Sequence, residues 1–514
     1  MDFTPFVKSY FINRAKQTDA WISNGDAVQL RQLSTLLTEA TLTEIGGKYR
    51  FAEFRSAKDK IRLYEEFSRR LPIVAYEDIR DDVMRMLRGE KDVLWSGKCY
   101  HYAQSSGTSD GKSKYIPITR ESFRRNHYKG ASDAMAHYLR LVPTSKVFSG
   151  KGLILGGSFA NELKISDKRI CVGDLSANLI KNINPIVNLF RLPDKQTALM
   201  SDWKAKLPAL VKASLNANIT NISGVPSWFL TLLQEVMKAA KATNINDVWP
   251  NLEVFFHGGI SFEPYRAEYK KITDQSKMHF LETYNASEGF FATQNDFLDS
   301  AMLLILDAGI FYEFAPLEAD GSLGNPVAMW DIDEGKTYAL IITSCNGLWR
   351  YSIGDTVRIE QKNPLKIKIV GRTKSFINAF GEELMQHNAD EGIAVACEIH
   401  NASIRNYTAA PVFATDGKRG RHQWLIEWIV RPSDVSAFAD TLDKELQRVN
   451  SDYQAKRNNN IFLDNLSITD ARDGVFDEWL KSVGSGKLGG QRKVPRLSNN
   501  REIIDAILAI NKKE

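Results

Sequence analysis

Ser105-Ser106-Gly107-Thr108-Ser109-Asp110-Gly111-Lys112-Ser113-Lys114, followed at once by Tyr115-Ile116-Pro117-Ile118, is the stretch whose reading decides the fold class. Hydroxyls, two glycines and two lysines crowd into ten residues. Glycines let backbone N–H groups approach an anion, and hydroxyls and lysines complete the cradle, so phosphate is the natural ligand. A polar surface hairpin is the bland alternative. The P-loop of the NTPases does not fit, because it needs four residues between its first glycine and its Gly-Lys-Ser. Here Gly107 and Gly111 enclose three. A P-loop must also open into a helix, whereas Tyr115–Ile118 favours a strand and Pro117 biases Ile116 away from the α region. The reading is strand–loop–strand, with Trp95–Tyr102 as the preceding strand.

Outward from this loop, residues 1–90 read as helical. Leu30, Leu33, Leu36 and Leu37 recur at helical spacing, as do Leu63, Phe67 and Leu71, and Tyr76–Arg88 fits a further helix. Beyond residue 98, short apolar runs alternate with helical stretches. Gly152–Gly156, Leu252–Phe256, Met278–Tyr284 and Met302–Leu306 read as strands, and Val225–Ala240 as a helix between two of them. That alternation predicts an α/β fold. Tyr338–Ser344 and Leu348–Ile353 flank Asn346-Gly347, a hairpin signal, and Thr356–Glu360 and Ile367–Val370 continue a β-rich region. After a boundary near 371–381, Thr408–Ala414, Gln423–Val430 and the helix Asp434–Asn450 predict a small α+β domain.

Composition narrows the function. The 514 residues are 43% hydrophobic and 25% charged, ordinary values for a soluble globular chain, and suffice for more than one domain. A net charge of +5 over 67 basic and 62 acidic residues is too small and too mixed to imply nucleic acid. Cys99, Cys171, Cys345 and Cys397 are far apart, which excludes zinc-ribbon and CxxC redox motifs and fits a reducing cytoplasm. No apolar run approaches the 18 residues of a membrane span, and the N-terminus lacks a signal-peptide pattern. The histidines show no metal-ligand spacing, and His257 is left unassigned.

The loop resembles the phosphate loop of the adenylate-forming superfamily, which includes acyl-CoA synthetases and luciferase. Its doubled serine is similar to one branch, the Gretchen Hagen family of auxin-responsive acyl acid amido synthetases. Further segments match in order. Leu71-Pro72-Ile73-Val74-Ala75-Tyr76-Glu77-Asp78 resembles the approach to the loop; Tyr284-Asn285-Ala286-Ser287-Glu288 the second motif; Arg350-Tyr351-Ser352-Ile353-Gly354-Asp355 the third; and Gln491-Arg492-Lys493-Val494-Pro495-Arg496 the C-terminal lysine segment. The likeness spans nearly the whole chain. One departure stands out: Ser352 occupies a position where the plant proteins usually carry Arg.

The resemblance implies a large N-terminal α/β domain (1–375) with β-sheets and a β-barrel-like subdomain flanked by helices. A small mobile α+β domain (376–514) follows. It implies an ATP-dependent ligase that adenylates a carboxylic acid and passes the acyl group to an amino acid amine. Transfer to coenzyme A, as in an acyl-CoA ligase, and non-catalytic binding of nucleotide or acyl group are the alternatives. Ser105, Ser106, Gly107, Thr108 and Ser109 are expected on the phosphates. Tyr284 and Ser287 are expected at the nucleotide, and Asp355 and Arg372 at the ribose. Glu288 is expected to hold Mg²⁺ together with ATP, an oxygen ligand shared with phosphate. The glycine-rich segment Lys481–Arg496, with five basic residues and no acid, is expected to carry Lys493 to the α-phosphate. Expected partners are a small carboxylic acid and an amino acid, with no nucleic acid, no membrane and a monomeric chain.

Overall fold

Helices fill the first ninety residues: Thr4–Gln17, Trp21–Glu39, Glu44–Lys48, Phe51–Phe54, Lys60–Arg70 and Tyr76–Leu87. Leu30, Leu33, Leu36 and Leu37 form one stripe that packs on Phe51, Phe54 and Phe67, burying the face that the 3.6-residue period creates. The computed structural model describes residues 2–512, apart from 55–59, 106–113, 160–162, 164, 166, 260–261, 318–322, 373–375, 378–381, 383, 413–419, 451–452, 455–456, 458–462, 484–492 and 499.

The first four strands are β1 (His101–Ser105), β2 (Lys114–Pro117), β3 (Lys151–Ile154) and β4 (Cys171–Gly173). β1 and β2 form the antiparallel pair that flanks residues 106–113, and β4 adds to β1 in parallel. Next come β5 (Arg191–Leu192), β6 (Ile219–Gly224), β7 (Val254–Gly258), β8 (His279–Ala286), β9 (Gly289–Gln294) and β10 (Met302–Leu304). The β-rich middle supplies β11 (Ile310–Pro316), β12 (Val327–Ala328), β13 (Thr337–Ser344), β14 (Tyr351–Gln361) and β15 (Lys366–Arg372). These join one 12-stranded sheet in the order β12-β11-β13-β14-β15-β10-β9-β8-β7-β6-β3-β5.

β3, β6, β7 and β8 run parallel, and β7 sits between two cores, which explains its unbroken apolar run Val254-Phe255-Phe256. On β7, Val254 and Phe256 face a core shared with Leu281 and Tyr284. Phe255, between them, faces the opposite core with Phe229, Trp249 and Tyr269. The helix between β6 and β7 runs Pro226–Ala240, with proline in its first turn, where no N–H is missed.

Two local expectations differ from the structure. The strand expected over Trp95–Tyr102 begins only at His101. Trp95 instead stacks on Trp349, at 6.1 Å between ring centroids, and Leu94 O accepts a hydrogen bond from Trp349 Nε1 at 2.9 Å. The strand expected from Leu348 begins at Tyr351, because Trp349 is drawn into that aromatic cluster and Arg350 takes a left-handed φ of +46°.

Beyond β15 come two short strands, β16 (Phe376–Ile377) and β17 (Leu384–Met385), then the helix Gln386–Ile399. β18 (Ser403–Val412) pairs antiparallel with β19 (Arg421–Val430), and β20 (Ser467–Ala471) runs parallel to β19. Alternation splits this sheet's faces. Trp424 and Ile426 pack with Phe438 and Leu442 of the helix Val435–Val449. Leu425 packs with Phe476, Trp479 and Ile504 on the other side. Asp434 caps the helix Val435–Val449, accepting from the N–H groups of Ser436 and Ala437. Among the described residues, no helix is long and apolar enough to cross a membrane.

Candidate active site

Ligands of α/β sheets bind beyond the carboxyl ends of the strands, and Ser287, Glu288 and Lys493 lie at the carboxyl ends of β8 and β7. β8 and β9 form a hairpin in which Ala286 faces Gly289, so Ser287 and Glu288 alone make the turn. Both are buried, at 2% and 8% exposure. Two buried asparagines clamp this turn. Asn126 Oδ1 accepts from Phe290 N at 2.7 Å while its Nδ2 donates to Phe290 O at 3.1 Å. Asn346 Nδ2 donates to Glu288 O at 3.1 Å. Asn126 lies in a π-helical turn, Ser122–His127, a geometry that recurs at functional sites. The sequence reading passed over Asn126 and took Asn346 only as a hairpin signal, since a lone Asn carries no spacing that points to a site.

Tyr284 Oη donates to Asp355 Oδ2 at 2.6 Å, and both residues are buried. Gly354, at φ +87°, lets β14 kink just before Asp355. Asp355 and Arg372 are opposed across β14 and β15. The third motif therefore meets the second through a direct hydrogen bond. Ser352, where the Arg of the plant proteins is replaced, donates its N–H to Val74 O at 2.9 Å, and Val74 N donates to Arg350 O at 3.0 Å. This ties the Leu71–Asp78 segment to β14, and Tyr76 Oη accepts from Tyr115 N just beyond the loop, at 2.9 Å.

Lys493 comes from the far end of the chain. A Cβ placed on Gly259 would lie 3.4 Å from Lys493 Nζ, and Gly259 adopts φ +84°. The lysine is thus brought to the carboxyl end of β7. Ser106, Gly107, Thr108 and Ser109 lie outside the described residues, as do the side chains of Ser105 and Arg372. Backbone positions place Ser105 at the end of β1 and Arg372 at the end of β15.

His257, beside this end of β7, is buried and stacks on Phe262 at 4.2 Å between ring centroids. Burial pushes its imidazole down to about 3, so it stays neutral at pH 7. Its partner across β7 and β8 is Glu282. Burial, with the Glu263 carboxylate nearby, pushes the Glu282 carboxyl up to about 7 from an ordinary 4.5. Between those values the folded state holds a proton the unfolded chain has released, so this group's contribution to stability falls as pH rises from about 4.5 to about 7. Glu282→Gln is therefore expected to raise the melting temperature at pH 8 and change it little at pH 4. An equal shift at both pH values would contradict the assignment.

A different apolar groove, of about 520 Å³, is lined by Phe3, Phe148, Phe190 and Leu192 at the opposite end of β3. It shares no residue with the site.

Comparison with known proteins bears on the whole arrangement. The chain matches the GH3 family N-terminal domain over residues 14–278, the central domain over 303–372 and the C-terminal domain over 387–502. The chain belongs to the GH3 family. Among GH3 relatives it is similar to the indole-3-acetic acid-amido synthetase GH3.4 of Arabidopsis thaliana, 22% identical over 92% of this chain and 89% of that one. It shares its fold with the AtGH3.15 acyl acid amido synthetase solved in complex with 2,4-DB. The TM-score there is 0.76 and identity 19%, over 98% of this chain and 96% of that one. Likeness extends to 2-hydroxyisobutyryl-CoA ligase in its postadenylation state, with TM-score 0.59 and 13% identity over 95% of this chain and 92% of that one. The shared fold thus extends beyond the GH3 relatives to that ligase.

Proposed function

We propose that this chain is an ATP-dependent acyl acid amido synthetase working in two half-reactions. In the first, an oxygen of the substrate carboxylate attacks the α-phosphorus of ATP, the bond to the β-phosphate oxygen breaks, and acyl-AMP and pyrophosphate result. In the second, the amine of an amino acid attacks the acyl carbonyl, an amide forms, AMP leaves and the amine loses a proton. The observation that carries this reading is the convergence of the Tyr284–Asp355 hydrogen bond, the buried Ser287-Glu288 turn and Lys493 over Gly259. Three distant segments meet at the carboxyl ends of parallel strands.

Positioning and charge stabilisation do most of the work in phosphoryl-type transfers. In this reading Ser105, Ser106, Gly107, Thr108 and Ser109 hold the β- and γ-phosphates, and Asp355 and Arg372 hold the ribose. Tyr284 lies against the nucleotide, and Ser287 steers the turn beside it. Glu288 fits Mg²⁺, which usually takes one or two carboxylates and completes its shell with phosphate oxygens and water. Among the described residues no three His, Cys, Asp or Glu cluster as a metal cage, so the sharing arrangement is the one the donor set suits. When bound, the ion neutralises phosphate charge. Residues 1–375 bind the substrates, and 376–514 carry Lys493 in and out. The same reading has the chain acting as a monomer in the cytoplasm, on small molecules rather than nucleic acid.

Asp355→Asn is expected to weaken ATP binding roughly 10- to 100-fold, the loss of one hydrogen bond to a charged group. Isothermal titration with ATP checks this, and unchanged affinity would remove Asp355 from the nucleotide site. For the acceptor, mass spectrometry of products formed from one active acid, ATP, an amino acid pool and coenzyme A decides. An amide supports the proposal; a thioester alone overturns it.

A further inference from the structure

The segment that delivers Lys493 is anchored immediately after it. Val494 packs in the C-terminal core with Ala410 and Leu425. Thr408 Oγ1 donates to Pro495 O at 2.7 Å, Ala409 N to Arg496 O at 2.8 Å, and Ser498 N to Ala409 O at 3.1 Å. Lys493 therefore moves with β18, and whatever positions β18 positions the lysine.

At the junction, β18 and the helix Gln386–Ile399 meet the helix Glu263–Ile272, which follows Gly259 directly in the chain. Tyr265 of that helix is 2% exposed, and its hydroxyl donates to Arg405 O at 3.1 Å. Arg496 stacks on Tyr407, 4.6 Å from the ring centroid, and donates to Tyr407 O at 3.1 Å and to Asn406 Oδ1. Tyr407 Oη in turn donates to Asp390 Oδ1 at 2.6 Å. One short stretch of the large unit thus supplies both the landing point of Lys493, at Gly259, and a hydroxyl that engages the small unit, at Tyr265.

We propose that the Tyr265 hydroxyl on the Arg405 carbonyl, with Arg496 bracing β18 at Asn406 and Tyr407, forms a latch that holds the small unit where Lys493 reaches Gly259, and that this latch must open before the acyl group is handed on. The proposal rests on the two-half-reaction reading above. Tyr265 and Arg496 are positioning residues. The crossing from one unit to the other is the Tyr265 hydroxyl on the Arg405 carbonyl, a hydrogen bond that breaks and re-forms readily in water. Apolar packing, such as Ile429 against the core containing Tyr265, remains when the hydroxyl is deleted.

The test compares wild type with Tyr265→Phe, which keeps the ring, and Arg496→Lys, which keeps the charge but loses the planar fork. Spin labels at Lys238→Cys and Lys444→Cys, both exposed, report the distance between units without any substrate. Acyl-AMP formation and aminolysis of supplied acyl-AMP are then measured separately. Expected are a longer or broader distance distribution, an unchanged melting temperature for Tyr265→Phe, and acyl-AMP formation slowed roughly tenfold with aminolysis undiminished. A wild-type distance distribution, or equal slowing of both half-reactions, would overturn the latch. If wild type forms no acyl-AMP at all, the adenylation reading falls, and the distance distribution alone decides the latch.

Discussion

Lys493→Ala is expected to slow acyl-AMP formation by about 10²- to 10³-fold, the usual cost of deleting one preorganised group that stabilises transition-state charge. The expectation follows from where the ammonium sits. Lys493 Nζ lies over Gly259, at the carboxyl end of β7, and the Tyr284–Asp355 pair joins β8 to β14 in the same sheet. A cation there is well placed for the negative charge that builds as pyrophosphate departs. In the reading proposed above aminolysis follows once Lys493 has moved out, when pyrophosphate has gone and the bond that breaks is the one between the acyl carbon and AMP. ATP affinity and aminolysis of supplied acyl-AMP are therefore expected to stay near wild type in this variant. Rapid-quench measurement of acyl-AMP checks the prediction. A rate within twofold of wild type would remove Lys493 from the chemistry, whatever its position.

The second large effect concerns stability. Arg350 opens the third motif, yet its guanidinium is taken up by β11 and by the helix end before Pro72. It donates to both oxygens of Glu313, at 3.1 and 3.0 Å from Nε, and to the carbonyls of Ser68 and Leu71, each at 2.6 Å from Nη1. Glu313 is fully buried on β11, and Arg350 is 5% exposed. Burial raises the Glu313 carboxyl, and Arg350 opposes that rise. Removing one partner of such a pair leaves a buried charge uncompensated, at a cost of about 3–5 kcal/mol. That is a large fraction of the ~5–15 kcal/mol that stabilises a typical domain. Arg350→Ala is thus expected to lower the denaturation midpoint sharply, while Arg350→Ala with Glu313→Gln recovers part of the loss. Chemical denaturation of both variants checks this. A single variant as stable as wild type would show that the pair contributes nothing.

The contrast between Arg350 and Asp355 shows what a sequence can carry. The two lie five residues apart in one motif, and only the three-dimensional partners separate them: Arg350 pairs with buried Glu313, Asp355 with Tyr284. Patterns with a period or a local cap read correctly. The run through Phe255 and Phe256 signalled a strand covered on both faces, and Asp434 marked the start of its helix. Tyr284, Ser287, Glu288, Asp355 and Lys493 could be singled out as candidates because they sit in motifs with fixed internal spacing. Asn126, Asn346, Glu313 and Tyr265 were not, because each is a single polar residue. Its partner lies far along the chain, 164 residues away for Asn126 and Phe290 and 140 for Tyr265 and Arg405. The strand expected from Leu348 failed for a similar reason: Trp349 answers to Trp95 and Phe51, which no local propensity encodes.

Acid-dependent pyrophosphate release tests the central claim most directly. Purified protein is mixed with MgATP and a panel of carboxylic acids, each with and without a pool of amino acids, and pyrophosphate is followed over time. The account predicts release that requires an acid and rises when amino acids are added, with an N-acyl amino acid found by mass spectrometry. Absence of release with every acid, from protein shown to bind ATP, would contradict it.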